Sequence, residues 1–178
     1  MTKITINKTT PTTSINTSTI AHLTSPHNDF DSNDPESVAE ESKSSVLIYE
    51  KAGPELAANY KIAKGYVGPV MAVDSHNLKT VSTISKIITI YAPCIAPDHP
   101  ETELHHDYHP CCVIKRILDL AEKLNRENER VVSVAIPLDF LEEKNQKNVD
   151  LCVGFVKNWI EENPNAGLET VFVSTAEF

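Results

Sequence analysis

Three short runs rich in β-branched residues constrain this chain more than any other feature: Lys86–Tyr91 (KIITIY), Arg130–Ile136 (RVVSVAI) and Glu169–Ser174 (ETVFVS). They are nearly continuous in apolar character and lack the in-and-out alternation of a strand with one wet face, as strands buried on both faces do. Between them lie two segments with apolar residues at three- and four-residue spacing. The first carries Val113, Ile114, Ile117, Leu118, Ala121 and Leu124. The second carries Val149, Cys152, Val153, Val156, Trp159 and Ile160, with Pro164 and Gly167 marking its exit. The alternation of strand and helix predicts an α/β chain with right-handed crossovers and a mostly parallel sheet. The three runs are expected side by side as interior strands, with Trp159 in the core and any ligand at the carboxyl ends of the strands.

The N-terminal quarter reads differently. Lys3–Ile6 (KITI) and Ser18–Leu23 (STIAHL) are β-branched enough to be strands, while His27–Ser42 holds six carboxylates and no Lys or Arg. About residues 27–44 are therefore expected to form a mobile acidic loop. No internal repeat is visible. A chain of 178 residues, 40% hydrophobic and 23% charged, can bury one sizeable core, so residues 1–178 are expected to form a single domain and a monomer. With 25 acidic against 16 basic side chains the formal charge is −9, which repels a nucleic-acid backbone and gives no attraction to an anionic membrane. No apolar run approaches the ~20 residues of a spanning helix, and no lysine-led hydrophobic leader opens the chain. A cytoplasmic protein is expected. Cys94, Cys111, Cys112 and Cys152 are sparse and sit in apolar stretches, as reduced core thiols do.

The stretch His105–Cys112 (HHDYHPCC) places three histidines, an aspartate and two cysteines within eight residues. Pro110 suits the first position of a helix and pushes the residue before it out of helical geometry, so His105 and His109 cannot share a helix face. Adjacent Cys111 and Cys112 diverge on a helix, and no spaced cysteine pair backs them. The expectation is a polar loop followed by cysteines that cap and pack a helix, with no metal and no cofactor.

Ala52–Leu56 (AGPEL), Gly68, Asn77–Leu78, Ile87–Pro93 (IITIYAP), Ser133–Leu138 (SVAIPL) and Leu168–Ser174 (LETVFVS) occur in an order that resembles a macro domain over about residues 3–178. The resemblance implies a three-layer α/β/α fold, a mixed and mostly parallel sheet between helices, and a cleft for ADP-ribose at the strand ends. In it, HHDYHPCC corresponds to a variable loop leading into a helix.

The segments that line the cleft in that family are altered here. The stretch Ser14–Asp29 stands where the family reads adenine, with His22 and Ser25 at its asparagine positions. Lys43–Ile48 (KSSVLI) stands where the family has its first glycine-rich phosphate loop, and Leu138–Asn145 (LDFLEEKN) where it has the second. None of the five glycines falls in either loop. A backbone without glycine approaches a diphosphate only at a conformational cost, and the acidic residues nearby repel it. Two lost charge-assisted hydrogen bonds cost about a hundredfold or more in affinity, which puts ADP-ribose binding in the high-micromolar to millimolar range, with Lys43 or Lys144 as local counter-charges.

On this basis the ligand-binding candidates are Ser25, Asn28, Ser44, Ser45, Val46, Phe140, Leu141 and Phe178. The last could stack on an adenine, and Phe140 or Leu141 could make an apolar contact to the distal ribose. Hydrolysis of an ADP-ribosyl ester needs a positioned base, for which His27 and Asp29 are the candidates, beside His22. Three functions remain open: recognition of ADP-ribose or a related nucleotide without hydrolysis, an ADP-ribosyl hydrolase, and a protein-interaction domain whose acidic segment Asp29–Glu41 docks on a basic partner.

Overall fold

The computed structural model describes residues 2–24, 30–39, 41–63, 70–91, 110–127, 130–139 and 146–175. Its strands are β1 (Lys3–Asn7), β2 (Thr19–Thr24), β3 (Met71–Asp74), β4 (Lys86–Tyr91), β5 (Ser133–Pro137) and β6 (Thr170–Ser174). They form one six-stranded sheet in the order β1-β6-β5-β2-β4-β3. Every neighbouring pair is parallel except β3 and β4, which are antiparallel. The expected mixed, mostly parallel sheet is present, and its first and last strands are paired.

All three runs read as strands are interior. KIITIY does not lie beside RVVSVAI, however, because β2 separates β4 from β5. All six residues of β2, TIAHLT, are buried. Its His and two Thr make it look less apolar than the other strands, but the His22 ring and the Thr24 hydroxyl are hydrogen-bonded inside the fold, so it can take the central place.

Among the described residues, six α-helices accompany the sheet: α1 (Pro35–Ala39), α2 (Lys43–Ala52), α3 (Pro54–Ala63), α4 (Leu78–Val81), α5 (Pro110–Arg126) and α6 (Gln146–Glu162). Part of the span read as an acidic loop is thus helical, since α1 and the start of α2 fall within it. Local caps explain this. The Glu36 amide donates to Asp34 Oδ1 at 3.1 Å, and the Ser45 amide donates to the side chain of Ser42, the N-cap of α2, at 3.1 Å.

Alternation along the strands divides the core between the two faces. Ala21, Leu23, Ile88, Ile90, Val134, Ile136, Val171 and Val173 pack with the apolar stripes of α5 and α6, including Trp159. Ile20 and Ile87 face the other way and pack with Ile48, Tyr49, Ala52, Leu56 and Tyr60 of α2 and α3. The result is a three-layer α/β/α architecture. In the AGPEL stretch, Gly53 ends α2 with φ +89°, and a Cβ there would lie 2.6 Å from Asn77 Nδ2. Only glycine fits both the dihedral and the close approach of the turn before α4.

Helix α5 begins at Pro110, as the sequence predicts. The cysteines behind it divide: Cys111 is half-buried, whereas Cys112 is exposed. At about 100° per residue, Cys112 falls on the side of α5 opposite the stripe of Val113, Ile114, Ile117 and Leu118, and Cys111 at its margin. The histidines of HHDYHPCC, and Cys94, lie outside the described residues. Among the described residues no group of three or more potential metal ligands comes together, and no helix is long and apolar enough to cross a membrane.

Candidate functional site

The sheet is clasped at one end and splayed at the other between β2 and β5. At the clasp, Ser18 Oγ accepts from the amides of Val132 and Ser133 at 3.0 and 2.9 Å and donates to the Ser133 carbonyl at 2.8 Å. The β2–β5 ladder comprises only Thr19↔Val134 and Ile20↔Ala135, whereas β2 and β4 stay in register from Thr19↔Lys86 to Thr24↔Tyr91. Past Ile20 the strands β2 and β5 diverge toward their carboxyl ends. The chain leaves β2 to build one helical layer and leaves β4 and β5 to build the other, so this gap is the topological switch point, where α/β sheets place their ligands.

The amino end of α2 closes this gap. The Ser44 amide donates to Asp139 Oδ2 at 2.7 Å, two residues beyond the end of β5. With the Ser45 amide held by the Ser42 cap, two of the free N–H groups of the first helical turn are already occupied. Two polar atoms at this junction, Ser44 Oγ and Asp139 Oδ1, are buried without a hydrogen-bonding partner among the described residues.

Behind the junction runs a chain of buried hydrogen bonds. Ser45 Oγ donates to Glu41 Oε2 at 2.5 Å, and Thr24 Oγ1 donates to Glu41 Oε1 at 2.6 Å. Since the Ser45 proton goes to Glu41, His22 Nε2, at 2.7 Å, carries the hydrogen and donates to Ser45 Oγ. His22 Nδ1 then accepts from the Tyr60 hydroxyl at 2.9 Å, and Tyr60 is in turn bonded to Thr89. Tyr49, bonded through its hydroxyl to Thr24 at 2.8 Å, presents its ring edge-on to His22 and stacks on Phe30 at 4.1 Å. His22 is fully buried, and burial lowers its pKa to about 3. It is a neutral imidazole with both nitrogens engaged, so it cannot serve as a general base.

The sequence-derived candidates distribute as follows. Ser44, Ser45 and Val46 lie in the first turn of α2, not in a loop. Ser44 faces the junction, the Ser45 hydroxyl is spent on Glu41 and His22, and the Val46 amide closes the helix onto the Ser42 carbonyl at 3.0 Å. Ser25, His27, Asn28, Asp29, Phe140, Leu141 and Phe178, and with them Lys144, lie outside the described residues. Of the acidic segment, Asp31 and Asp34 cap local turns and Glu41 anchors the buried chain. Sequence reasoning singled out neither Asp139 nor the roles of Thr24, Tyr49, Tyr60 and Thr89. Asp139 was findable as the first acidic residue after a buried strand, opposite a segment rich in serine.

This architecture is the macro-domain fold. Among solved structures, the chain is similar to a macrodomain mutant from Oceanobacillus iheyensis, with 13% identity, a TM-score of 0.65, and coverage of 97% of this chain and 83% of that one. It is similar to a Trypanosoma brucei macrodomain solved in complex with ADP-ribose, with 13% identity and a TM-score of 0.65, covering 96% of this chain and 63% of that one. The macro domain of ganglioside induced differentiation associated protein 2 is similar at 16% identity and a TM-score of 0.67, covering 97% and 76%. No family model matches the sequence, and no curated protein matches it.

Proposed function

We propose that this chain is a diverged macro-domain-like module that recognises a nucleotide-related ligand of the ADP-ribose type without hydrolysing it, its cleft having an altered specificity. The observation that carries this is the junction at the switch point, where the amino end of α2 and the residue range after β5 meet across the splayed β2–β5 gap. The sheet thus provides a ligand crevice, and solved neighbours with this fold are named as complexes with ADP-ribose and with ADP. The non-hydrolytic part of the reading is supported by the engagement of the described polar groups. The Ser45 hydroxyl donates to Glu41, and the His22 nitrogens are held by Ser45 and Tyr60, which leaves neither to activate water. The pairing of β1 with β6 supports a single domain, and the sparse thiols support a cytosolic setting.

Calorimetric titration with adenosine and with ADP-ribose tests the reading. Both are expected to bind in the high-micromolar to millimolar range. Low-micromolar binding of ADP-ribose would overturn the altered specificity, absence of binding by either would remove the recognition function, and release of ADP-ribose from a modified protein would establish the hydrolase instead.

A further inference from the structure

We propose that Asp139 is a tethered anion occupying the phosphate seat at the amino end of α2, so that the native cleft selects ligands carrying no negative charge at that seat. This rests on the cleft assignment above and names the ligand class it admits.

Three observations converge. The Asp139 carboxylate accepts the Ser44 amide at 2.7 Å, the contact an external anion would make with the first turn of a helix. The neighbouring Ser45 amide is bound to the Ser42 side chain, so a second anion would find it occupied. Ser44 itself is only 2% exposed, and its hydroxyl, like Asp139 Oδ1, has no hydrogen-bonding partner among the described residues. A donor hydroxyl and a carboxylate oxygen left over at one buried helix end are the remainder of an anion site whose charge is supplied from within the chain. The carboxylate neutralises the positive end of the helix dipole and repels a phosphate brought to the same place.

The full chain and two variants, Asp139→Ala and Asp139→Asn, decide the matter, with Glu161→Gln on the exposed face of α6 as the equal-charge control. Inorganic phosphate, adenosine and ADP-ribose are titrated separately while the backbone amide of Ser44 is followed by NMR. Phosphate is expected to leave the Ser44 amide unmoved in the native chain and in Glu161→Gln, and to shift it in Asp139→Ala. ADP-ribose affinity should rise by about tenfold or more in Asp139→Ala. Asp139→Asn keeps the shape and an acceptor for the Ser44 amide while losing the charge, and should show a smaller gain. Adenosine affinity should not change.

Phosphate shifting Ser44 equally in the native chain, or failing to shift it in both folded variants, would overturn the proposal. If Asp139→Ala does not fold, the near-isosteric Asp139→Asn carries the test, and no phosphate response in it decides against the seat. A phosphate response in the variants without binding of adenosine or ADP-ribose by any form would retain the tethered anion and remove the nucleotide reading.

Discussion

His22 Nε2 lies 2.7 Å from Ser45 Oγ, joining the middle of β2 to the first turn of α2. This contact makes the histidine a structural connector between the central strand and the helix that closes the cleft. Its other nitrogen reaches Tyr60 on α3, so three elements share one buried imidazole. The strand tolerates a fully buried histidine because every polar atom of the ring has a partner.

Replacing His22 by Ala is therefore expected to destabilise the fold by roughly 3–5 kcal/mol, through a cavity and two hydroxyls stripped of a shared partner. His22→Gln, which can keep one of the two bonds, should cost about half of that. Denaturant midpoints at constant slope measure both. A loss below about 1 kcal/mol for His22→Ala would show that the chain of hydrogen bonds does not support the helix.

Acid should destabilise the protein through the same residue. The folded pKa of about 3 lies below the ordinary 6.5, because burial opposes the charged imidazole. Between these values the unfolded chain binds a proton that the native state refuses, so stability present above pH 6.5 is lost as pH falls toward 3. The slope from this group is about 1.4 kcal/mol per pH unit. The His22→Gln variant should lack this component, and chemical denaturation of both proteins from pH 7 to 4 measures the difference. Parallel pH profiles would remove His22 as its source.

Two glycines should respond oppositely to alanine. At Gly53 the φ of +89° strains any residue with a Cβ, and an added Cβ would also displace Asn77 Nδ2 from 2.6 Å away, so Gly53→Ala should cost about 2 kcal/mol or more. At Gly154, inside α6, an added Cβ meets nothing within 4 Å, and Gly154→Ala should stabilise the protein by about 0.5–1 kcal/mol. Thermal melts of the pair check the assignment, and equal effects would contradict it.

Glu122 ties α5 to the entrance of β6. Its carboxylate, 6% exposed, accepts the Gly167 amide at 2.9 Å and the Arg126 guanidinium at 2.8 Å. Glu122→Ala removes the acceptor of the Gly167 amide and of the buried Leu168 amide, which lies 3.4 Å from the same carboxylate, and a loss of about 2 kcal/mol is expected, together with faster hydrogen exchange at both. Unchanged exchange at these two amides would show that the turn holds without it.

Thiol labelling should distinguish Cys112 from Cys152. Cys112 is exposed, whereas Cys152 is fully buried and its pKa is pushed up to about 11, by burial first and by Cys111 second. Iodoacetamide is expected to modify Cys112 in the native protein and Cys152 only on unfolding, read by mass spectrometry of the separated peptides. Equal native rates would place Cys152 outside the core.

Local periodicity alone determined several parts of this protein. The three- and four-residue spacing from Val113 to Leu124 and from Val149 to Ile160 specifies α5 and α6, and Pro110 sets where α5 begins. The continuous apolar runs specify β4, β5 and β6 as interior strands, because such signals depend on neighbours a few residues apart. The order of elements around AGPEL was enough to indicate the macro-domain architecture. The placement of β2 between β4 and β5 was decided by tertiary structure, since it depends on whether distant hydroxyls on α2 and α3 can satisfy His22. Ser44 and Asp139 are 95 residues apart in the chain, and nothing in either local segment specifies that they meet. Folding brings the carboxylate to the helix end, where the unpaired amide attracts it and the splayed strands leave it room.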